Sequence, residues 1–97
     1  MITSKQRSYL RSLSSTLKPI FHLGKAGIDD NFIKQIDEAL EARELIKISI
    51  LDSSEYTPRE LSDLLFERLK TEGVLTIGKR LVIYRRSENK PKIELPL

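Results

Sequence analysis

The chain of 97 residues has no cysteine and no tryptophan, one histidine, and only four glycines and four prolines. Without cysteine there are no disulfides, no thiolate zinc site and no cysteine nucleophile, which fits a reducing compartment. With His22 as the sole imidazole, neither a nucleophilic triad nor a metal cage can be assembled from the usual residue types. The sequence calls for no metal and no cofactor. No apolar run reaches the ~18 residues a membrane span needs, and the first residues, MITSKQRSYLRSL, lack the apolar stretch of a secretory signal. A cytoplasmic location without membrane attachment is the expectation. The length suits one domain with a single core.

What is present is charge, unevenly placed. The net charge is +3, but residues 1–27 hold five Lys/Arg and no acid, residues 28–63 hold ten acids against four bases, and residues 64–97 hold eight bases against four acids. Sign segregation of this kind suggests a polyanionic partner for the two ends, unless the fold mixes the patches again.

Punctuation and periodicity give the elements. Thr3 and Gln6 have capping-box spacing, and Tyr9, Leu10, Leu13 and Leu17 recur at helical intervals, predicting a helix over residues 4–17 that stops at Pro19. Ile20–Leu23 reads as a short buried strand running into Gly24-Lys25-Ala26-Gly27. Asp29 or Asp30 caps a second helix with Phe32, Ile33, Ile36, Ala39 and Leu40 inward, ending near Arg43 or Glu44. Residues 45–51, LIKISIL, read as the second strand. The stretch TPRE at 57–60 starts a third helix with Leu61, Leu64, Leu65 and Leu69 as its buried stripe, and Gly73 is expected to close it. VLTI (74–77) and LVIY (81–84) read as strands joined tightly through Gly78-Lys79-Arg80, and Pro91 and Pro96 suggest a loosely held tail over 88–97. Two right-handed crossovers and a closing hairpin give an α/β fold with a mixed four-stranded sheet.

Binding is easier to stage on this frame than catalysis. At ~100° per residue, Arg7, Arg11, Ser14 and Lys18 fall on one narrow arc, beside that of Tyr9, Leu10, Leu13 and Leu17, predicting an exposed cationic stripe. It ends close to Gly24-Lys25-Ala26-Gly27, where backbone N–H groups before a helix can meet a phosphate. The same glycines would serve a plain tight turn. The loop lacks the length and the hydroxyl of a nucleotide-hydrolysing P-loop. His22 reads first as a structural strand residue, with nucleic-acid contact as the alternative. The Asp29–Asp30 pair reads as a helix cap rather than an acid/base pair. Tyr9 and Tyr84 lie on predicted core faces and Tyr56 in a loop, leaving few aromatics for base stacking, so shape and charge should dominate recognition.

Three blocks, LRSLSSTLKPIFHLGKAG, ALEARELIKISIL and LTIGKRLVIYRRS, closely resemble, in order and spacing, the CRM domain, the RNA-binding module of chloroplast splicing factors and of bacterial YhbY proteins. The resemblance spans residues 3–86. It implies a two-layer α/β domain with an N-terminal helix followed by β-α-β-α-β-β, similar to the C-terminal domain of translation initiation factor three, with the last strand inserted beside the second. It also implies a GxxG loop at Gly24, Lys25, Ala26 and Gly27. The RNA-contacting set expected is these four with Arg7, Arg11, Lys18, Lys79 and Arg80. Asp29 and Asp30 depart from an ideal phosphate site, because their carboxylates compete for the helix-start N–H groups and repel an anion. The implied setting is binding of structured ribosomal RNA in precursors of the large ribosomal subunit, without enzymatic activity. Two rival readings are a module whose acidic second and third helices dock a basic ribosomal protein, and a hydrolase of RNA ends.

Overall fold

The computed structural model describes residues 2–97. Helix starts follow their capping residues. At the first helix, α1 (Ser4–Ser14), Thr3 Oγ1 accepts from the Gln6 N–H at 3.1 Å and the Gln6 side chain accepts from the Thr3 N–H at 2.9 Å. Strand β1 (Phe21–Leu23) follows, then α2 (Asp30–Arg43), whose cap is Asp29, its carboxylate accepting from the Phe32 N–H at 2.8 Å. After β2 (Leu45–Ile50), Thr57 and Glu60 form a second reciprocal box at the start of α3 (Pro58–Leu69). Strands β3 (Glu72–Ile77) and β4 (Arg80–Tyr84) complete the chain's regular structure.

Two helix ends differ from the sequence reading. α1 stops at Ser14 because serine hydroxyls take over its last carbonyls: Ser14 Oγ donates to Arg11 O at 2.8 Å and Ser15 Oγ to Ser12 O at 2.9 Å. α3 is closed by Lys70 in the left-handed conformation (φ 60°), not by Gly73. Gly73 lies within β3, where a Cβ would come 2.8 Å from Ser62 Oγ, so it lets α3 approach the sheet.

The sheet order is β1-β2-β4-β3. β1 is parallel to β2, and β4 lies between β2 and β3, antiparallel to both. Alternation along the strands divides the apolar residues between two faces. Ile46, Ile48, Ile50, Leu81 and Ile83 pack against Ile33, Ile36 and Leu40 of α2 and Leu61 and Leu65 of α3. Leu45, Val82 and Tyr84 face the other way and pack with Val74, with Leu10 of α1 and with Ile93 and Leu95 after β4. No helix among the described residues is long and apolar enough to cross a membrane.

The residues after β4 are fastened rather than loose. Glu44 is fully buried, and its carboxylate accepts from the backbone N–H groups of Ser87 (2.8 Å), Lys92 (2.6 Å) and Ile93 (2.8 Å). One turn earlier, Glu41 accepts from the Ser87 hydroxyl at 2.6 Å and from the N–H groups of Glu88 and Asn89. Chiefly the Ser87 hydroxyl, then the two N–H donors, hold Glu41 down at about 2. Burial pushes the Glu44 carboxyl up, but its N–H donors together outweigh that and leave it below the ordinary carboxylate value. Proline removes donors only at its own positions, so Pro91 and Pro96 leave these donors available.

Candidate nucleic-acid interface

One end of the sheet gathers three connections: residues 24–29, the stretch after β2, and the Gly78-Lys79 turn. They are tied together by backbone bonds from Ile50 N to Lys79 O (2.7 Å) and from Leu51 N to Leu23 O (2.8 Å). Gly24-Lys25-Ala26-Gly27 is a closed turn, with the Gly27 N–H donating to Gly24 O at 3.1 Å. Its glycines have separate reasons. Gly27 has φ +78°, a conformation L side chains rarely adopt, whereas at Gly24 a Cβ would sit 3.2 Å from Leu51 Cδ1 and 3.3 Å from Ser53 Oγ. Lys25 and Ala26 are exposed at the tip.

Behind the turn, the start of α2 is partly capped. Asp29 occupies the Phe32 N–H, and the fully exposed Asp30 carboxylate lies 3.8 Å from Arg68. One capping carboxylate and a second exposed one therefore make this helix terminus a poorer anion site than a free one. On the rim, Lys79 Nζ is 2.6 Å from Asp52 Oδ1, and both side chains are exposed. The Lys79 hydrogen bond and charge hold the Asp52 carboxyl below its usual value. Solvent screens an exposed pair of this kind, so it holds Lys79 only weakly and leaves the ammonium available to another anion. Arg80 is exposed at the start of β4 and Lys18 in the connection after α1.

The helical stripe requires correction. α1 is rotated so that Leu10 and Ser14 are its buried residues, while Tyr9 is 40% and Leu13 37% exposed. Arg7 Nε donates to Gly73 O at 3.0 Å and Arg11 Nε to Val74 O at 3.3 Å, so both arginines lean over the edge of β3 instead of pointing away from the sheet. Ser14 is small enough to be enclosed and satisfies its hydroxyl on its own helix. Lys18 lies beyond the helix, so no single stripe exists. The arginines have a structural duty: they satisfy edge carbonyls and anchor a helix whose only fully buried apolar side chain is Leu10. Replacing Arg7 and Arg11 by glutamine should therefore lower stability by about 1 kcal/mol each, read from urea denaturation. An unchanged midpoint would return both to the role of exposed cations.

Register also assembles a group that the linear reading did not. Across the sheet, His22 pairs with Ser49, Ser49 with Arg80, and Arg80 with Ile77. All four lie on the face away from α2 and α3, because their neighbours Leu23, Ile48, Ile50 and Leu81 face those helices. The available signal was strand alternation, but which residues share a row depends on β4 entering beside β2.

An α/β sheet with a GxxG turn and basic residues at one end defines the structural class. The CRS1 / YhbY (CRM) domain model matches residues 2–85, and the chain belongs to that family. It is 47% identical over 96 residues to the "Probable RNA-binding protein YqeI" of Bacillus subtilis, covering 99% of this chain and 100% of that protein. It is 34% identical over 95 residues to a Haemophilus influenzae protein named "RNA-binding protein", covering 98% and 95% of the two chains. The solution structure of the hypothetical protein SAV1595 from Staphylococcus aureus superposes with a TM-score of 0.77 at 47% identity, covering 99% of this chain and 100% of that one.

Proposed function

We propose that this chain is a non-enzymatic RNA-binding protein that acts in assembly of the large ribosomal subunit, holding structured ribosomal RNA by phosphate contacts. The observation that carries the reading is the exposed Lys25-Ala26 tip, held between Gly24, which neighbouring side chains confine, and Gly27, which the backbone conformation requires, with Lys79 and Arg80 at the same end of the sheet. Relatives named for RNA binding support the partner class. KH-type GxxG loops hold nucleic-acid backbone in a comparable way. The ribosomal setting rests on the family resemblance.

The rival in which acidic helices dock a basic protein loses several of its acids to internal work. Asp37 pairs with Arg85 at 2.7 Å, and Glu41 and Glu44 hold the C-terminal residues. In a sucrose gradient of lysate, the protein should travel with large-subunit precursors and be scarce on translating ribosomes. An even distribution over small and large subunits would overturn the assembly role.

A further inference from the structure

We infer that the cross-strand row His22, Ser49, Arg80 and Ile77 is a platform for the bases of a short unpaired RNA segment whose backbone is held at the Lys25 turn. This rests on the RNA-binding reading and adds to it a single-stranded stretch beside the gripped phosphates of a structured RNA.

The row is continuous across all four strands and open to solvent. His22, Arg80 and Ile77 are exposed and Ser49 is half-buried, although the face they share is closed further along by Leu10 and the C-terminal residues. α1 starts over β3, with Arg7 at Gly73 and Arg11 at Val74, and reaches across β4 to β2, and the exposure of His22, Arg80 and Ile77 shows that it leaves this end of the face uncovered. At about 4.8 Å per strand, the row is ~14 Å long, room for two or three bases laid side by side.

Its chemistry suits bases better than phosphates alone. Imidazole and guanidinium planes stack on nucleobases, and Ile77, 63% exposed, offers an apolar surface that a base would cover. A lone exposed isoleucine is ordinary on a protein surface. Here it extends a row that contains no acid and begins at His22, two residues before Gly24. Bases inside an A-form duplex are stacked on one another and cannot lie on a sheet, so the occupant is unpaired. Cationic Arg80 within the row and Lys25 beside it match a polyanionic strand and disfavour an apolar protein segment.

The test compares binding of the full chain to a fluorescent oligoadenylate and to a blunt RNA duplex, for the parent, Ile77→Ser and Arg80→Lys. Both side chains concerned are surface groups, and thermal melts should coincide. Ile77→Ser should weaken oligoadenylate binding about tenfold with no change in its salt dependence, since stacking releases no counterion, and should leave duplex binding unchanged. Arg80→Lys keeps the charge but loses the plane, and it should also weaken the single strand selectively. If both variants bind oligoadenylate like the parent, or lose both RNAs equally, the platform is refuted while RNA binding stands. If the parent binds neither RNA, the RNA-binding reading falls and the platform with it.

Discussion

Replacing Lys25 and Ala26 together by aspartate should cut RNA affinity by ~2 kcal/mol or more, about thirtyfold, while changing folding stability by less than about 1 kcal/mol. The asymmetry follows from the turn. Both side chains are exposed at its tip, and the features that shape it, the Gly27 N–H bond to Gly24 O, the positive φ of Gly27 and the close approach at Gly24, all survive the change. What changes is the field: one cation is lost and two anions join Asp29 and Asp30 beside the position a phosphate would take. Gly27→Val is the complementary control, because a β-branched residue at φ +78° is strained wherever RNA is, and it should destabilise the fold by about 1–3 kcal/mol. RNA titration at fixed salt with a thermal melt for each variant separates the two roles. A doubly substituted protein that folds and binds like the parent would reduce the loop to a turn.

Local signals were legible and non-local ones were not, and α1 shows where the boundary runs. Its start was readable because Thr3 and Gln6 need only each other, as do Thr57 and Glu60 at α3. Its rotation was not, because Leu10 belongs equally to an arc through Tyr9, Leu13 and Leu17 and to one through Arg7 and Ser14. Hydropathy favours the first arc. The sheet chose the second, since arginine stems cover apolar surface while their N–H groups reach the β3 carbonyls, a partner more than sixty residues away. The same limit applied at the site. The conformational need for Gly27 could be anticipated from the turn, but Gly24 is confined by Leu51 and Ser53, which only the fold brings near. The insertion of β4 beside β2 came from family resemblance, not from periodicity, because alternation tells which face a residue takes and not which strand it joins. Tyr9, assigned to the core by the wrong arc, is half-exposed, so the shortage of surface aromatics is less severe than the sequence suggested.

Glu44→Leu should be the most damaging single change outside the apolar core, on the order of 3 kcal/mol, although leucine is a good core residue of similar size. Two features of Glu44 conflict at first sight. Its backbone has φ 66° and ψ −41°, a strained conformation that glycine would adopt more readily, and its side chain is a fully buried carboxylate. The carboxylate explains why glycine is not there. It collects three backbone N–H groups, from Ser87, Lys92 and Ile93, and its own backbone carbonyl accepts from the Arg85 N–H at 2.9 Å. Leucine keeps the strain and strands those donors, each costing about 1 kcal/mol or more where water cannot replace the partner. Glycine also loses the carboxylate but relaxes the backbone and opens space for water, so Glu44→Gly should cost about 1–2 kcal/mol less than Glu44→Leu. Urea denaturation of the two variants, with amide exchange followed at residues 87–93, checks the order. Exchange there should accelerate in both while the β2 and β4 amides stay protected. If Glu44→Leu proves the more stable of the two, the buried carboxylate is not what holds the C-terminal residues on the sheet.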